Sequence, residues 1–130
     1  MTLRLSDLDA CFEGVVPAVI ATLSAEGMPN ISYLSHVARV DDRHIALSNQ
    51  FFGKTAGNLA AVPRAAILLV DGRSGQQYRA ETLFVRSESE GPLFDRVAAQ
   101  IAATSAQVGM ASVMHLRAVD VFLVTALAPV

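Results

Sequence analysis

Pro17-Ala18-Val19-Ile20-Ala21-Thr22-Leu23-Ser24, the turn Ala25-Glu26-Gly27, and then Asn30-Ile31-Ser32-Tyr33-Leu34-Ser35-His36-Val37-Ala38-Arg39-Val40 decide the fold class. The first run is rich in Val, Ile, Leu and Thr and reads as a strand. Gly27 is available for a positive φ in the turn. The second run reads as one long strand. Ile31, Tyr33, Ser35, Val37 and Arg39 fall on one face; Ser32, Leu34, His36, Ala38 and Val40 fall on the other. Asp41-Asp42 turns the chain into a third strand, Arg43 to Asn49, antiparallel to the second.

Working outward, Ser6 is placed to cap a short helix over 7–12, ended by Gly14. After Gln50-Phe51-Phe52-Gly53 a short helix is expected from Lys54 to Ala61, with Pro63 helping to stop it. Arg64 to Asp71 carries an apolar run that suits a strand buried on both faces. Gln76 to Ser87 is another strand. Gly91-Pro92 opens the longest helix, to about Val108, with Leu93, Val97 and Ile101 recurring every four residues and Gly109 at its end. Ala118 to Leu127 is a last strand. This order predicts a mainly β protein with α (α+β): an antiparallel six-stranded split β-barrel with Greek-key character and flanking helices, in one domain over 1–130. The βαβα alternation of a doubly wound fold is missing.

Composition narrows the function classes. The chain has 130 residues, 52% hydrophobic and 17% charged, which excludes disorder. Its formal charge is -2. A protein that neutralises nucleic-acid phosphates carries a basic excess, so no nucleic acid is expected as partner. No run reaches the ~18 apolar residues of a membrane helix. Acidic Asp7, Asp9 and Glu13 precede the stretch 15–23, and Pro17 interrupts it, which is not a secretory signal pattern. A cytoplasmic protein with no membrane partner is expected. The single Cys11 excludes an internal disulfide and reads as a small buried hydrophobe.

Lys54 stands out, because the chain has nine arginines and this one lysine. It opens a helix, where a cation opposes the dipole and a bound anion would reverse that sign. A solvated lysine is the alternative. Ser48 to Thr55 comes close to a phosphate-binding nucleotide loop, but Ser48 stands where that motif needs glycine. His36, His44 and His115 show no metal-ligand spacing, and Glu81, Glu88 and Glu90 nominate no catalytic pair. Arg79 and Glu81 alternate on one face of their strand and are expected to pair with cross-strand neighbours. Gln77 is read onto the opposite face, where its amide offers both donor and acceptor to a polar heterocycle.

Gly27-Met28-Pro29-Asn30, Leu47-Ser48-Asn49, Lys54, Asn58-Leu59, Pro63-Arg64 and Gln77-Tyr78-Arg79-Ala80-Glu81 follow one another in an order that resembles the pyridoxamine 5'-phosphate oxidase-like family, the FMN-binding split β-barrels. The resemblance implies FMN at the subunit interface of a homodimer, and a small-molecule electron donor or acceptor. It implies that Ser48, Asn49, Lys54 and Thr55 hold the phosphate. Gln77 would meet the flavin or its ribityl chain, and Ser32, Tyr33, Leu34 and Ser35 would run beside the ring. Two departures argue against a true pyridoxamine-phosphate oxidase. Ser32 and Val37 stand where the family has an arginine and a lysine, leaving Arg39 or Arg43 as substitutes. The substrate-gripping Arg and Trp residues of the family's C-terminal stretch are missing from 121–129. The implied activity is an FMN-dependent oxidoreductase with no catalytic acid or base nominated; the alternative is a non-catalytic flavin- or haem-binding sensor.

Overall fold

The computed structural model describes residues 3–14, 16–34, 36–49, 53–107 and 116–130. The elements are β1 (Ala18–Leu23), β2 (Pro29–Leu34), β3 (Val37–Arg39), β4 (His44–Asn49), α1 (Gly53–Ala61), β5 (Arg64–Val70), β6 (Gln77–Glu88), α2 (Pro92–Gln107) and β7 (Ala118–Pro129). All seven strands join one antiparallel sheet in the order β2-β1-β5-β6-β7-β4-β3. It is a split barrel of seven strands rather than the six expected.

The extra strand comes from the segment expected to be continuous. Its first half, β2, pairs with β1, and its second half, β3, pairs with β4. These are the two opposite edges of the sheet, joined only through residues 35 and 36. The connection curls the sheet and inverts the alternation. Tyr33 is 79% exposed, whereas Val37, expected on the same face, is buried in the barrel. Expected partners Leu34 and Ala38 separate likewise, Leu34 into the barrel and Ala38 against α2.

The barrel interior holds Ile20, Leu34, Ile45, Leu47, Ile67, Leu69 and Phe122, with Phe84 meeting Phe122 edge-on at 5.5 Å. Thr82 lies in this wall and donates Oγ1 to the Ala65 carbonyl at 2.8 Å. A second cluster forms outside the barrel, where α2 lays Val97 and Ile101 on Ala38, Ala46 and Val119. That matches the four-residue period of the sequence. The N-terminal helix does not form as one piece. Leu5–Asp7 and Asp9–Phe12 are short 3-10 turns, and Ser6 sits inside the first of them. Arg4 is the residue ahead of that turn, and its N–H donates to Asp7 Oδ2 at 2.9 Å.

Gln77, Arg79 and Glu81 all face outward opposite Val70, Leu68 and Ala66, so Gln77 shares the face of the other two. Arg79 pairs with Glu81 itself at 3.2 Å, not across a strand. No helix among the described residues is long and apolar enough to cross a membrane.

Candidate functional site

α1 begins close behind the end of β4, and the first N–H groups of a helix have no acceptor within it. The helix dipole adds to their positive potential. Lys54 stands in that first turn, exposed, with no hydrogen bond or ion pair among the described residues. Thr55 turns inward and is buried. Its Oγ1 lies 3.2 Å from Ser32 Oγ and accepts from Asn30 Nδ2 at 3.4 Å. Asn30 Nδ2 also donates to Ser32 Oγ at 3.4 Å. One turn on, Asn58 Nδ2 donates to Thr22 Oγ1 at 3.1 Å. A neutral seam of hydroxyls and amides therefore ties α1 to β1 and β2, with one cation at its open end.

Ser48 and Asn49 make different contacts. Ser48 donates both its N–H (3.1 Å) and its Oγ–H (3.2 Å) to the His36 carbonyl. Asn49 Nδ2 donates to Asp120 Oδ2 at 3.3 Å, and Ser87 Oγ donates to Asp120 Oδ1 at 2.7 Å. Asp120 is 4% exposed, and burial pushes its carboxyl above the ordinary range while these two bonds pull the other way. Sequence reasoning missed Asp120. Its signal was a lone acid inside the apolar run Ala118-Val119-Asp120-Val121-Phe122.

The remaining expected site residues scatter. Leu34 lies in the barrel core, Tyr33 on the outer sheet face, and Ser35 outside the described residues. Gln77 opens β6, five residues from Thr82, roughly 17 Å along the strand. The substitutes suggested for the missing cations also lie far off. Arg39 is paired with Ile45 and Arg43 precedes His44, so both sit at the opposite end of β4 from Asn49. The strand rise puts that separation at roughly 13 Å for Arg39, opposite Ile45, and roughly 20 Å for Arg43.

His36 turns under α2, where its Nε2 meets Gln100 Oε1 at 2.8 Å. Its Nδ1 is the one buried side-chain N or O among the described residues without a hydrogen-bond partner. Burial pulls its pKa below the ordinary histidine value, and the Arg96 charge adds to the shift; the Gln100 bond opposes it.

What the first turn of α1 can hold is an anion: it offers the N–H groups of a helix start and one exposed ammonium, with the half-buried Ser32 hydroxyl beside the inward-turned Thr55, a set that fits a phosphomonoester. The pyridoxamine 5'-phosphate oxidase family matches this chain over residues 6–125. The chain belongs to that family.

Three solved structures are similar to it in fold. One is an FMN-binding protein from Syntrophomonas wolfei subsp. wolfei (TM-score 0.77, 18% identity, 95% of this chain and 85% of that one). Another is HutZ, the haem storage protein from Vibrio cholerae (TM-score 0.64, 16% identity, 99% and 96%). A third is an F420 reductase (TM-score 0.63, 14% identity, 92% and 94%). No curated protein matches the chain. The neighbours are named for three different cofactors, so the shared fold does not choose among them. Ser32 is tied to Thr55 and Val37 lies in the barrel core, so neither position supplies a cation.

Proposed function

We propose that this protein binds FMN as a homodimer and serves as a small flavin oxidoreductase that exchanges electrons with a small molecule. The phosphate rests at the first turn of α1. Lys54 supplies the charge, the helix N–H groups point at the oxygens, and Ser32 and Thr55 contribute hydroxyls oriented by Asn30. Ser48 and Asn49 hold the end of β4 beneath that turn. Tyr33 and Gln77 lie on a bare sheet face that we assign to the subunit interface, where the flavin ring would meet them. Bound FMN supplies the hydride or electron transfer, and the chain supplies binding, orientation and exclusion of water.

The observation that carries this reading is Lys54: the chain's lone lysine, exposed and without a partner among the described residues, in the first turn of a helix lined by a hydroxyl seam. Haem is the second reading, supported by the likeness to HutZ. Against it, among the described residues His36 is bonded to Gln100 under α2, and His44 Nδ1 bonds Asp41 at 2.9 Å; His115 lies outside the described residues.

The test is the visible spectrum after incubation with excess FMN and desalting. Wild type is expected to retain flavin near one per chain. Lys54→Ala is expected to weaken binding about 10- to 100-fold, since a charge-assisted hydrogen bond contributes ~1.5–3 kcal/mol. Wild type that retains no flavin sinks the FMN assignment, and a Soret band after incubation with haemin instead would move it to haem.

A further inference from the structure

β4 and β7 do not end together. Their pairing runs from Asn49 opposite Ala118 to His44 opposite Leu123, and Val124 N–H closes it on the Arg43 carbonyl at 2.7 Å. β7 then continues to Pro129 with β6 on one side and no strand on the other. The N-terminal segment Leu3–Leu5 lies across from this bare stretch. Between them is a groove of about 460 Å³. That is within the ~300–1,000 Å³ usual for small-molecule sites.

The groove has an apolar wall and a charged rim. Leu3, Val124 and Leu127 line it, partly buried against the barrel core, with Leu5 buried beneath them. Arg4 and Arg43 flank it. Arg4 is shared with Asp7, at 3.9 Å. The Arg43 guanidinium has no hydrogen bond or ion pair among the described residues; only its backbone is engaged, N–H to Asp41 Oδ1 at 2.8 Å and carbonyl to Val124. Asp42 also reaches the rim but lies 3.8 Å from Arg39, which draws on its charge.

We propose that this groove is a second ligand site, which takes a small organic monoanion: a carboxylate on an apolar body. The unpartnered Arg43 fork matches a carboxylate. Arg4 adds to the positive potential. Asp42 disfavours a second negative charge on the ligand, and the partly exposed Leu3, Val124 and Leu127 favour a hydrocarbon or aromatic body over a bare inorganic anion. The site is separate from the first turn of α1, because Arg43 and Asn49 stand at opposite ends of β4.

The assignment does not depend on FMN binding, and one titration tests it. The probe is sodium benzoate, followed by amide chemical shifts of the labelled protein, with benzyl alcohol as the uncharged control. Saturable shifts are expected at Arg43 and at Val124 to Leu127, with benzyl alcohol at least tenfold weaker. Arg43→Gln should weaken benzoate about tenfold, and Arg4→Gln by less, while Lys54→Ala leaves it unchanged. Arg43 is exposed, and the same spectra report whether each variant is folded. The proposal is overturned if benzoate gives no saturable shift or if benzyl alcohol binds as well. It is also overturned if Arg43→Gln has no effect, or if the shifts centre on the Lys54 end of the barrel. Loss of flavin retention in Arg43→Gln would likewise overturn it, by merging the groove with the cofactor site.

Discussion

Two stretches of the same sheet are built from similar residues and meet different fates. Where β3, β4 and β7 face outward, α2 covers them, and Ala38, Ala46 and Val119 are buried under Val97 and Ile101. Where β2, β1, β5 and β6 face outward, nothing among the described residues covers them. Ile31 is 71% exposed and Tyr33 79%, beside the half-buried Val19, Ala21, Ala66 and Leu68. The Arg79–Glu81 pair and Arg64 put charge on that surface. A soluble monomer rarely leaves a contiguous apolar face of this kind open. One half of the molecule carries its own cover, and the other half awaits one. That contrast supports the homodimer, with the bare faces of two copies meeting.

The largest effect that would sharpen this contrast lies under α2. Val97→Asp puts an unpaired carboxylate among buried aliphatic groups, and a loss of at least ~3 kcal/mol is expected in urea unfolding. A loss below about 1 kcal/mol would mean that α2 does not close its face. The bare face should respond in the opposite way. Ile31→Lys with Tyr33→Lys removes apolar area that no intrachain contact uses. Monomer stability is then expected to change by no more than about ±0.5 kcal/mol per site. The mass by light scattering should fall from that of two chains to that of one. If wild type is already a monomer, or the double variant stays a dimer, the bare face is not the interface.

The two halves also differed in how readily the sequence disclosed them. α2 was legible because Leu93, Val97 and Ile101 share one side of a helix and pack where that periodicity puts them. The β2–β3 break was not, because Asn30 to Val40 is a continuous run of strand-forming residues with no glycine or proline in it. Each half follows its own hairpin partner, β2 with β1 and β3 with β4, and what sets those hairpins on opposite edges is the pairing of β1 with β5 and of β4 with β7, strands far apart in the chain. The seven-strand count follows from that one missed bend. At the candidate site, Lys54 was visible through its rarity and its place at a helix start. The partners of Ser48 and Asn49 were not visible, because Asn49 lies 71 positions from Asp120 in the chain. Short-range spacing cannot report a contact that the closed sheet creates.

The smallest predicted effect separates two buried titratable groups by the sign of their pH dependence. His36 has a folded pKa lowered by burial, and the neighbouring Arg96 adds to that shift. Its neutral form is therefore the one that fits beneath α2. Its contribution is complete above the unfolded histidine pKa of about 6.5 and is lost as pH falls from there towards the folded value. Asp120 has a folded pKa raised by burial among β4, β6 and β7, where it faces Asn49 and Ser87. Its contribution is complete below the unfolded aspartate pKa of about 3.9 and is lost as pH rises towards the folded value. His36→Gln should therefore flatten the rise in stability just above the folded histidine pKa. Asp120→Asn should flatten a decline that begins near pH 4. Each slope is bounded by one proton, about 1.4 kcal/mol per pH unit. Unfolding free energies of wild type and both variants, measured from pH 4 to 8, decide the matter through their differences. If each variant runs parallel to wild type, these groups do not sense their burial. If His36→Gln alone flattens the curve, the closed α2 interface excludes water while the Asn49–Asp120–Ser87 cluster admits it. That outcome would carry the contrast between covered and open regions into the interior of the barrel.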